Sequence, residues 1–278
     1  MKVQPRHYPS QEAIAFSPAR IFAMVLRYWY LLRSSWPRVL ELIYWPAVQM
    51  LMWGFLQLYV SENAGFFAKA GGTFIGAVLL WDILFRGQLG FSISFLEEMW
   101  ARNMGNLMMS PLRPVEFICA LMIMSIVRLA IGMVPVTILA IAFFDFNLYS
   151  LGFALAVFFM NLILTSWAVG ILVSGIVLRN GMGAESMAWT IMFLLLPLAC
   201  VYYPVAVLPG WVQPVAGALA PREVIEGMRA RVIDLTVRAE QWLWAFALNA
   251  AYFIAAIIAF LGLLHRARLA GSLVQSGE

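Results

Sequence analysis

Charge is what this sequence has least of. Only 12% of its 278 residues are charged, whereas 63% are hydrophobic and the mean hydropathy is +0.86. Soluble domains carry about 25% charged residues. Several apolar runs exceed the roughly 20 residues that cross a bilayer as a helix. These runs are continuously apolar and do not alternate, which excludes barrel strands. The composition therefore predicts an all-α polytopic membrane protein.

Residues that build active sites are also rare. The two cysteines, Cys119 and Cys200, fall in apolar runs and are too few for a disulfide framework. The two histidines, His7 and His265, lie towards the ends of the chain, so a histidine relay or an HExxH metal pair is excluded. No GxxxxGK[ST] loop is present to hold a nucleotide. We expect no catalytic residue, metal or cofactor in this chain, and any ATP that drives it is expected on another chain.

Positive charge exceeds negative charge, with a formal net charge of +4 and an isoelectric point near 9.3. Such an excess can indicate nucleic-acid binding. In a membrane protein it usually reflects cytoplasmic arginine that fixes topology. We therefore expect the lipid bilayer, and not nucleic acid, as the partner of this surface.

Residues 1–37 are expected to form a cytoplasmic tail and an interfacial helix. No small-residue cleavage site follows a short apolar core, so a signal peptide is not expected. Ser17-Pro18 has the pattern of a helix start. The following stretch, 19–34, is aromatic and apolar with Arg20 and Arg27 on one face, which predicts a helix lying along the cytoplasmic leaflet.

Residues 38–268 are expected to form a six-span domain, followed by a cytoplasmic tail over 269–278. A polar but helically patterned segment over 205–238 predicts two short external helices that dip back into the membrane before the last span. With both termini inside, eleven Lys and Arg residues fall in cytoplasmic segments and five in external ones, which supports this orientation. The six spans are predicted at 40–59, 73–95, 115–144, 151–178, from 186 past Pro197, and 241–264.

The connection over 95–116 is the most polar long link between two spans. It predicts a short amphipathic helix over about 96–109, with Glu98 and Arg102 paired at i and i+4. Ser110-Pro111 and Pro114 end that helix and start another. A helix of this kind is suited to receiving force from a soluble partner. The alternative is a solvated helix that only joins two spans.

Three ionisable residues, Asp82, Arg86 and Arg128, fall within predicted spans, where charge is costly. Asp82 and Arg86 are expected to pair within one helix, and Arg128 to join them. The group either fixes helix register or takes part in a substrate path.

Aromatic residues of the first and fifth spans are either interface belts and core packing or a lining for an amphiphile. They include Trp53, Phe55, Tyr59, Phe193, Tyr202 and Tyr203. Gly170 and Ser174 form a small-xxx-small pair that favours close helix packing.

Two motifs carry a resemblance that extends over nearly the whole chain. The first is Ser110-Pro111-Leu112 followed by Glu116. The second runs from Tyr203-Pro204 through Leu208-Pro209-Gly-Trp211-Val-Gln213-Pro214 and is similar to the "FP…LP.WLQP" signature of the permease subunit of type-2 ABC exporters. The "NPLT…R" that usually comes next departs here to Leu219-Ala-Pro221 and a later Arg229.

That resemblance implies a homodimer of permeases with two cytoplasmic ATPase subunits, which hold the ATP and Mg. It implies an inner-membrane exporter of amphiphiles such as lipid-linked glycans or drugs, with the first and fifth spans lining the exit route. The interfacial helix and the helix over 95–109 would sit in a cleft of each ATPase. The residues expected to couple to the ATPase are Arg20, Arg27, Glu97, Glu98, Trp100, Arg102, Leu107, Ser110 and Pro111.

Two other classes of protein remain as alternatives. A secondary transporter or channel would need no ATPase, although such proteins often contain repeated halves with broken helices, and no convincing internal repeat is present here. A membrane-embedded enzyme would need a convergent set of nucleophile, base or metal ligands. The sequence offers no such set.

Overall fold

A computed structural model describes residues 16–63, 71–233 and 239–270. Within these ranges the chain is helical and contains no strand, which confirms the all-α fold. Residues 1–15 and 271–278 of the predicted tails, and residues 234–238 of the external segment, lie outside the described residues. The α-helices are α1 Pro18–Arg33, α2 Trp36–Asn63, α3 Gly71–Trp100, α4 Met104–Met109, α5 Pro114–Phe144, α6 Phe153–Asn180, α7 Met187–Leu198, α8 Gln213–Gly217, α9 Ala220–Ile233 and α10 Ala239–Ala270, with 3-10 turns at Leu148–Leu151, Met182–Ala184 and Val205–Val207.

Five of the described helices, α2, α3, α5, α6 and α10, are long and apolar enough to cross a membrane. The fifth of the six predicted spans corresponds to α7, which has 12 residues. At 1.5 Å per residue α7 covers about 18 Å, well short of the roughly 30 Å hydrocarbon core. Pro197 lies in its last turn, and Cys200 just beyond adopts φ +55°. The count of six complete spans is therefore not confirmed.

Buried apolar side chains form two clusters, one towards each end of the long helices. We call the first the arginine-rich end; it joins α1, the C-terminal part of α3, α4, the start of α5 and the C-terminal halves of α6 and α10. The second, the opposite end, joins the start of α3, the end of α5, the start of α6 and α9. Helix α7 contributes Ala188 to the first cluster and Met192 to the second.

Helix α3 is the central element of the bundle. In its most apolar window 78% of residues are buried, against 17% for α2 and 22% for α10. Glycines allow its neighbours to approach closely: a Cβ on Gly90 would lie 3.2 Å from Ser125 Cα of α5, and one on Gly170 of α6 would lie 2.7 Å from Phe91. The close packing predicted at Gly170 is thereby confirmed.

Hydrogen bonds between side chains join α6 to α10. Asn249 is fully buried, accepts from the hydroxyl of Thr165 at 2.5 Å, and donates to the side chain of Asn161 at 3.0 Å. Polar groups buried in this way stabilise helix association only when all of them are satisfied. The three side chains therefore fix the register of the two helices.

The segment 205–233 binds the turn that follows α7 through the side chain of Arg229. The charged residues of this segment pair locally: Arg222 with Glu223, and Arg229 with Glu226 at 2.8 Å. Arg229 also donates to the carbonyl oxygens of Cys200 and Val201 at 2.6 and 2.9 Å. Helix α9 thereby anchors the C-terminal end of α7.

Candidate partner-binding site

Glu116 docks α1 onto the start of α5. Its carboxylate is buried and lies in the first turn of α5, where an acidic group is favoured by the helix dipole. It accepts from the backbone N–H of Arg113 at 3.0 Å and from that of Ser17 at 2.8 Å. Arg20 completes the set with a bidentate contact, Nε to Oε2 at 2.8 Å and Nη2 to Oε1 at 2.6 Å. The hydrogen bond to Glu116 raises the pKa of Arg20.

Glu98 attaches the middle of α1 to the C-terminal end of α3. Its side chain is 1% exposed and pairs with Arg27 Nη1 at 2.7 Å. Asn103 Nδ2 donates to its other oxygen at 2.8 Å. The neighbouring Tyr28 is fully buried, and this burial, reinforced by the charge of Glu98, raises the pKa of its hydroxyl well above the ordinary value. Arg20 and Arg27 therefore hold α1 against the bundle at two points.

Glu97 binds two arginines from other helices. Arg128 Nη2 lies 2.9 Å from both carboxylate oxygens, and Arg38 Nη1 of α2 lies 3.3 Å away. The expectation that Arg128 joins Asp82 and Arg86 is therefore wrong, because Arg128 binds Glu97 instead. Arg128 lies opposite Gly90, and Gly90 and Glu97 share one face of α3 because they are seven residues apart.

The predicted helix over 96–109 is divided in two. Helix α3 continues to Trp100, Arg102 adopts φ +52°, and α4 begins only at Met104. The backbone N–H of Asn103 bonds to the carbonyl of Glu98 at 2.9 Å and closes the turn. Glu98 and Arg102 are therefore not an i, i+4 helical pair, because the helix ends between them.

The turn and α4 present an outer ridge formed by Trp100, Arg102, Met109 and Pro111. Trp100 is 50% exposed and Met109 79% exposed, and Arg102 and Pro111 are exposed as well. Three of the predicted coupling residues, Trp100, Arg102 and Pro111, thus face outwards. Met109 was not among the predicted coupling residues. Its position directly before the helix-ending Ser110-Pro111 is the feature of the sequence that could have indicated its exposure.

Other predicted coupling residues face inwards. Leu107 is buried in the apolar cluster, and Ser110 closes α4 by donating to the carbonyl of Leu107 at 2.6 Å. Glu97 and Glu98 are occupied by arginines of the same chain. These residues are therefore engaged within the chain and are not part of the exposed ridge.

The ridge is also tied to the connection between α6 and α7. Trp100 Nε1 donates to Glu185 Oε2 at 2.9 Å, although the two residues are 85 positions apart. The two connections therefore lie side by side at the arginine-rich end.

The residues predicted for a substrate path are distributed over several separate contacts. Trp53 of α2 stacks on Tyr202 with ring centroids 4.5 Å apart, and Phe74 of α3 contacts both rings. Phe193 of α7 packs against Phe85 with centroids 5.8 Å apart.

The remaining path candidates lie elsewhere. Phe55 packs against Phe143 and Phe144 of α5, and Tyr59 is 67% exposed. The hydroxyl of Tyr203 donates to the carbonyl of Pro197 at 2.8 Å and so closes the end of α7.

The predicted Asp82–Arg86 pair is present but loosely formed. Arg86 Nη2 lies 3.7 Å from Asp82 Oδ1, and Asp82 is fully buried. Within the described ranges no donor lies within hydrogen-bonding distance of either Asp82 oxygen. A buried carboxylate in this condition is costly.

The described parts of the chain contain no group of three or more His, Cys, Asp or Glu side chains that could hold a metal ion. A scan against protein-family models gave no match, and a search of curated proteins gave none either.

Proposed function

We propose that this chain is the membrane-spanning subunit of an ATP-driven exporter, with the outer ridge as its contact to a separate cytoplasmic ATPase. In this proposal the subunit is a type-2 ABC permease in a bacterial inner membrane, with both termini in the cytoplasm. Two copies pair with two ATPase subunits, which carry ATP and Mg. The cargo is an amphiphile such as a lipid-linked glycan or a drug-like molecule.

One observation carries the proposal: the ridge is firmly held from beneath yet exposed at its tip. Three glutamates in the turns that adjoin it, Glu97 and Glu98 at the end of α3 and Glu116 at the start of α5, bind arginines from α1, α2 and α5. Above them Trp100 and Met109 point outwards. Exposed apolar residues on a rigid support are typical of a protein contact.

Continuity with the bundle supports the same role. The ridge begins at the last residue of α3, the most buried of the long helices. A displacement of the ridge therefore acts directly on the centre of the bundle. In the proposed arrangement α7 supplies a sixth, incomplete crossing and the segment 205–233 covers the outer face.

The test is co-purification of ATPase activity with the detergent-solubilised chain from its native membrane. Glu97 and Glu98 are unsuitable targets because their loss disturbs the fold. Met109→Glu places a charge on the ridge tip and is expected to abolish the co-purifying activity. Trp211→Glu is the matched control, because Trp211 is 80% exposed on the turn before α8, outside the ridge. The control is expected to retain the wild-type activity.

A secondary transporter or channel is the second candidate, and the loosely formed Asp82–Arg86 pair is the observation that favours it. A buried ionisable residue in a span is a candidate for ion coupling. If the wild-type chain purifies as a stable oligomer without any ATPase, the exporter proposal fails. Ion-coupled transport through Asp82 then takes its place.

A further inference from the structure

Helix α7 is short and only shallowly embedded in the bundle. Of its twelve residues only Ala188 and Met192 are buried. Pro197 interrupts its last turn, and Phe193 and Leu194 are more than 60% exposed. A helix with few buried contacts opens and shifts at low free-energy cost. Its position therefore depends on how its two ends are held.

The two ends of α7 are held in different ways. At the C-terminal end Arg229 donates to the carbonyls of Cys200 and Val201. At the N-terminal end Glu185, two residues before the helix, accepts the hydrogen bond from Trp100 Nε1. The first tie leads to α9 at the opposite end, and the second leads to the outer ridge.

We propose that the Trp100–Glu185 hydrogen bond positions α7 relative to the outer ridge, so that movement of the ridge is passed to α7. Glu185 is then a positioning residue that acts through Trp100. The conformational role rests on the proposed function, because it needs a partner that moves the ridge. The Trp100–Glu185 hydrogen bond, which we call the tie, forms within the chain and needs no partner.

A shift of α7 would also reach a contact farther along this helix. Phe193, about two turns beyond the start of α7, packs against Phe85 of α3, which is next to Arg86. A shift of α7 alters this contact near the Asp82–Arg86 pair. The tie thereby links the ridge to the middle of the bundle by a second route besides α3.

Three variants isolate the hydrogen bond. Trp100→Phe keeps an aromatic ring but removes the N–H donor, and Glu185→Ala removes the acceptor. Glu185→Gln loses the charge but keeps a side-chain oxygen that accepts. The first measurement is amide hydrogen exchange of residues 186–192 in the purified chain. Trp100→Phe and Glu185→Ala are expected to raise the exchange rate about threefold to tenfold, and Glu185→Gln to leave it near wild type.

Two results overturn the tie regardless of any partner. One is unchanged exchange in Trp100→Phe and Glu185→Ala. The other is an equal rise in Glu185→Gln and Glu185→Ala, which would assign the effect to charge and not to the hydrogen bond. Exchange at 220–232 in α9 serves as the internal reference and is expected to stay constant.

The second measurement uses the complex with its co-purified ATPase. Leu194→Cys is introduced after Cys119 and Cys200 are changed to serine, and its rate of maleimide labelling is compared with and without ATP plus vanadate. The rate is expected to change with nucleotide in the chain with Glu185 intact and to stay constant in Glu185→Ala, with ATPase still bound, because Glu185 lies outside the ridge. A nucleotide response that persists in Glu185→Ala overturns the positioning role alone. Absence of an ATPase overturns the proposed function and this role together, whereas the exchange result still decides the tie.

Discussion

The glutamates at the arginine-rich end and the aspartate within α3 are both buried acids beside arginines, yet their surroundings differ sharply. Glu116 accepts four hydrogen bonds, two of them from Arg20 at 2.6 and 2.8 Å. Asp82 lies 3.7 Å from Arg86 and accepts no hydrogen bond from any described residue. Nearly the same charge pairing is thus well satisfied in one region and poorly satisfied in the other.

This contrast separates residues that support the fold from residues that are candidates for function. A buried carboxylate becomes tolerable when bidentate arginine and backbone N–H groups replace its lost hydration. Where such donors are missing, the residual cost persists only if something else selects for the charge. The glutamates therefore act as structural supports, and Asp82 is the stronger candidate for a functional role.

The largest effect is expected from Arg128→Ala. This change leaves the buried Glu97 with Arg38 at 3.3 Å in place of its closest partner, and breaking one side of a buried pair costs about 3–5 kcal/mol. Thermal unfolding in detergent should show a marked fall in midpoint and loss of the monodisperse species. Arg179→Ala is the control, because Arg179 is exposed at the end of α6. Equal stability of the two variants would remove the structural role assigned to the Glu97 cluster.

Pairs that depend on local spacing could be predicted from the sequence, whereas pairs that depend on helix packing could not. The i, i+4 pair Asp82–Arg86, the start of α1 at Ser17-Pro18 and the positions of the long helices depend on local spacing, and the structure confirms them. The pairs of Glu116 with Arg20 and of Glu97 with Arg128 join residues 96 and 31 positions apart. They depend on how α1 packs on α5 and how α5 packs on α3, which no local pattern specifies.

The inward orientation of Glu97, Glu98 and Leu107 was hidden for a related reason. Helical spacing predicted a continuous helix over 96–109, but Arg102 adopts a left-handed conformation and rotates α4 relative to the end of α3. The turn is stabilised by Asn103, whose backbone and side chain both bond to Glu98. A single residue with positive φ therefore decided which side of the segment faces outwards.

An intermediate effect is expected from Glu116→Gln. The amide can still accept from one backbone N–H but loses the charge that holds Arg20, so α1 should detach more often from α5. Trypsin cleavage after Arg27 and Arg33 is expected to accelerate on the order of tenfold, because cleavage depends on local opening. The comparison is Glu41→Gln, an exposed acid on α2. If both variants are cut at the wild-type rate, Glu116 does not hold α1.

The smallest effect on stability is expected from the double variant Asp82→Asn/Arg86→Gln. Removing both charges together leaves neither of them buried without a partner, so the unfolding free energy should change by less than about 1 kcal/mol. Arg86→Gln alone should cost more, because it leaves the Asp82 charge buried without its nearest cation. If the double variant unfolds as readily as Arg128→Ala, Asp82 belongs with the structural glutamates and the contrast disappears. If the double variant remains stable while vesicles that contain it lose transport, the charged pair within α3 acts in transport. The stability of the bundle would then not require the pair.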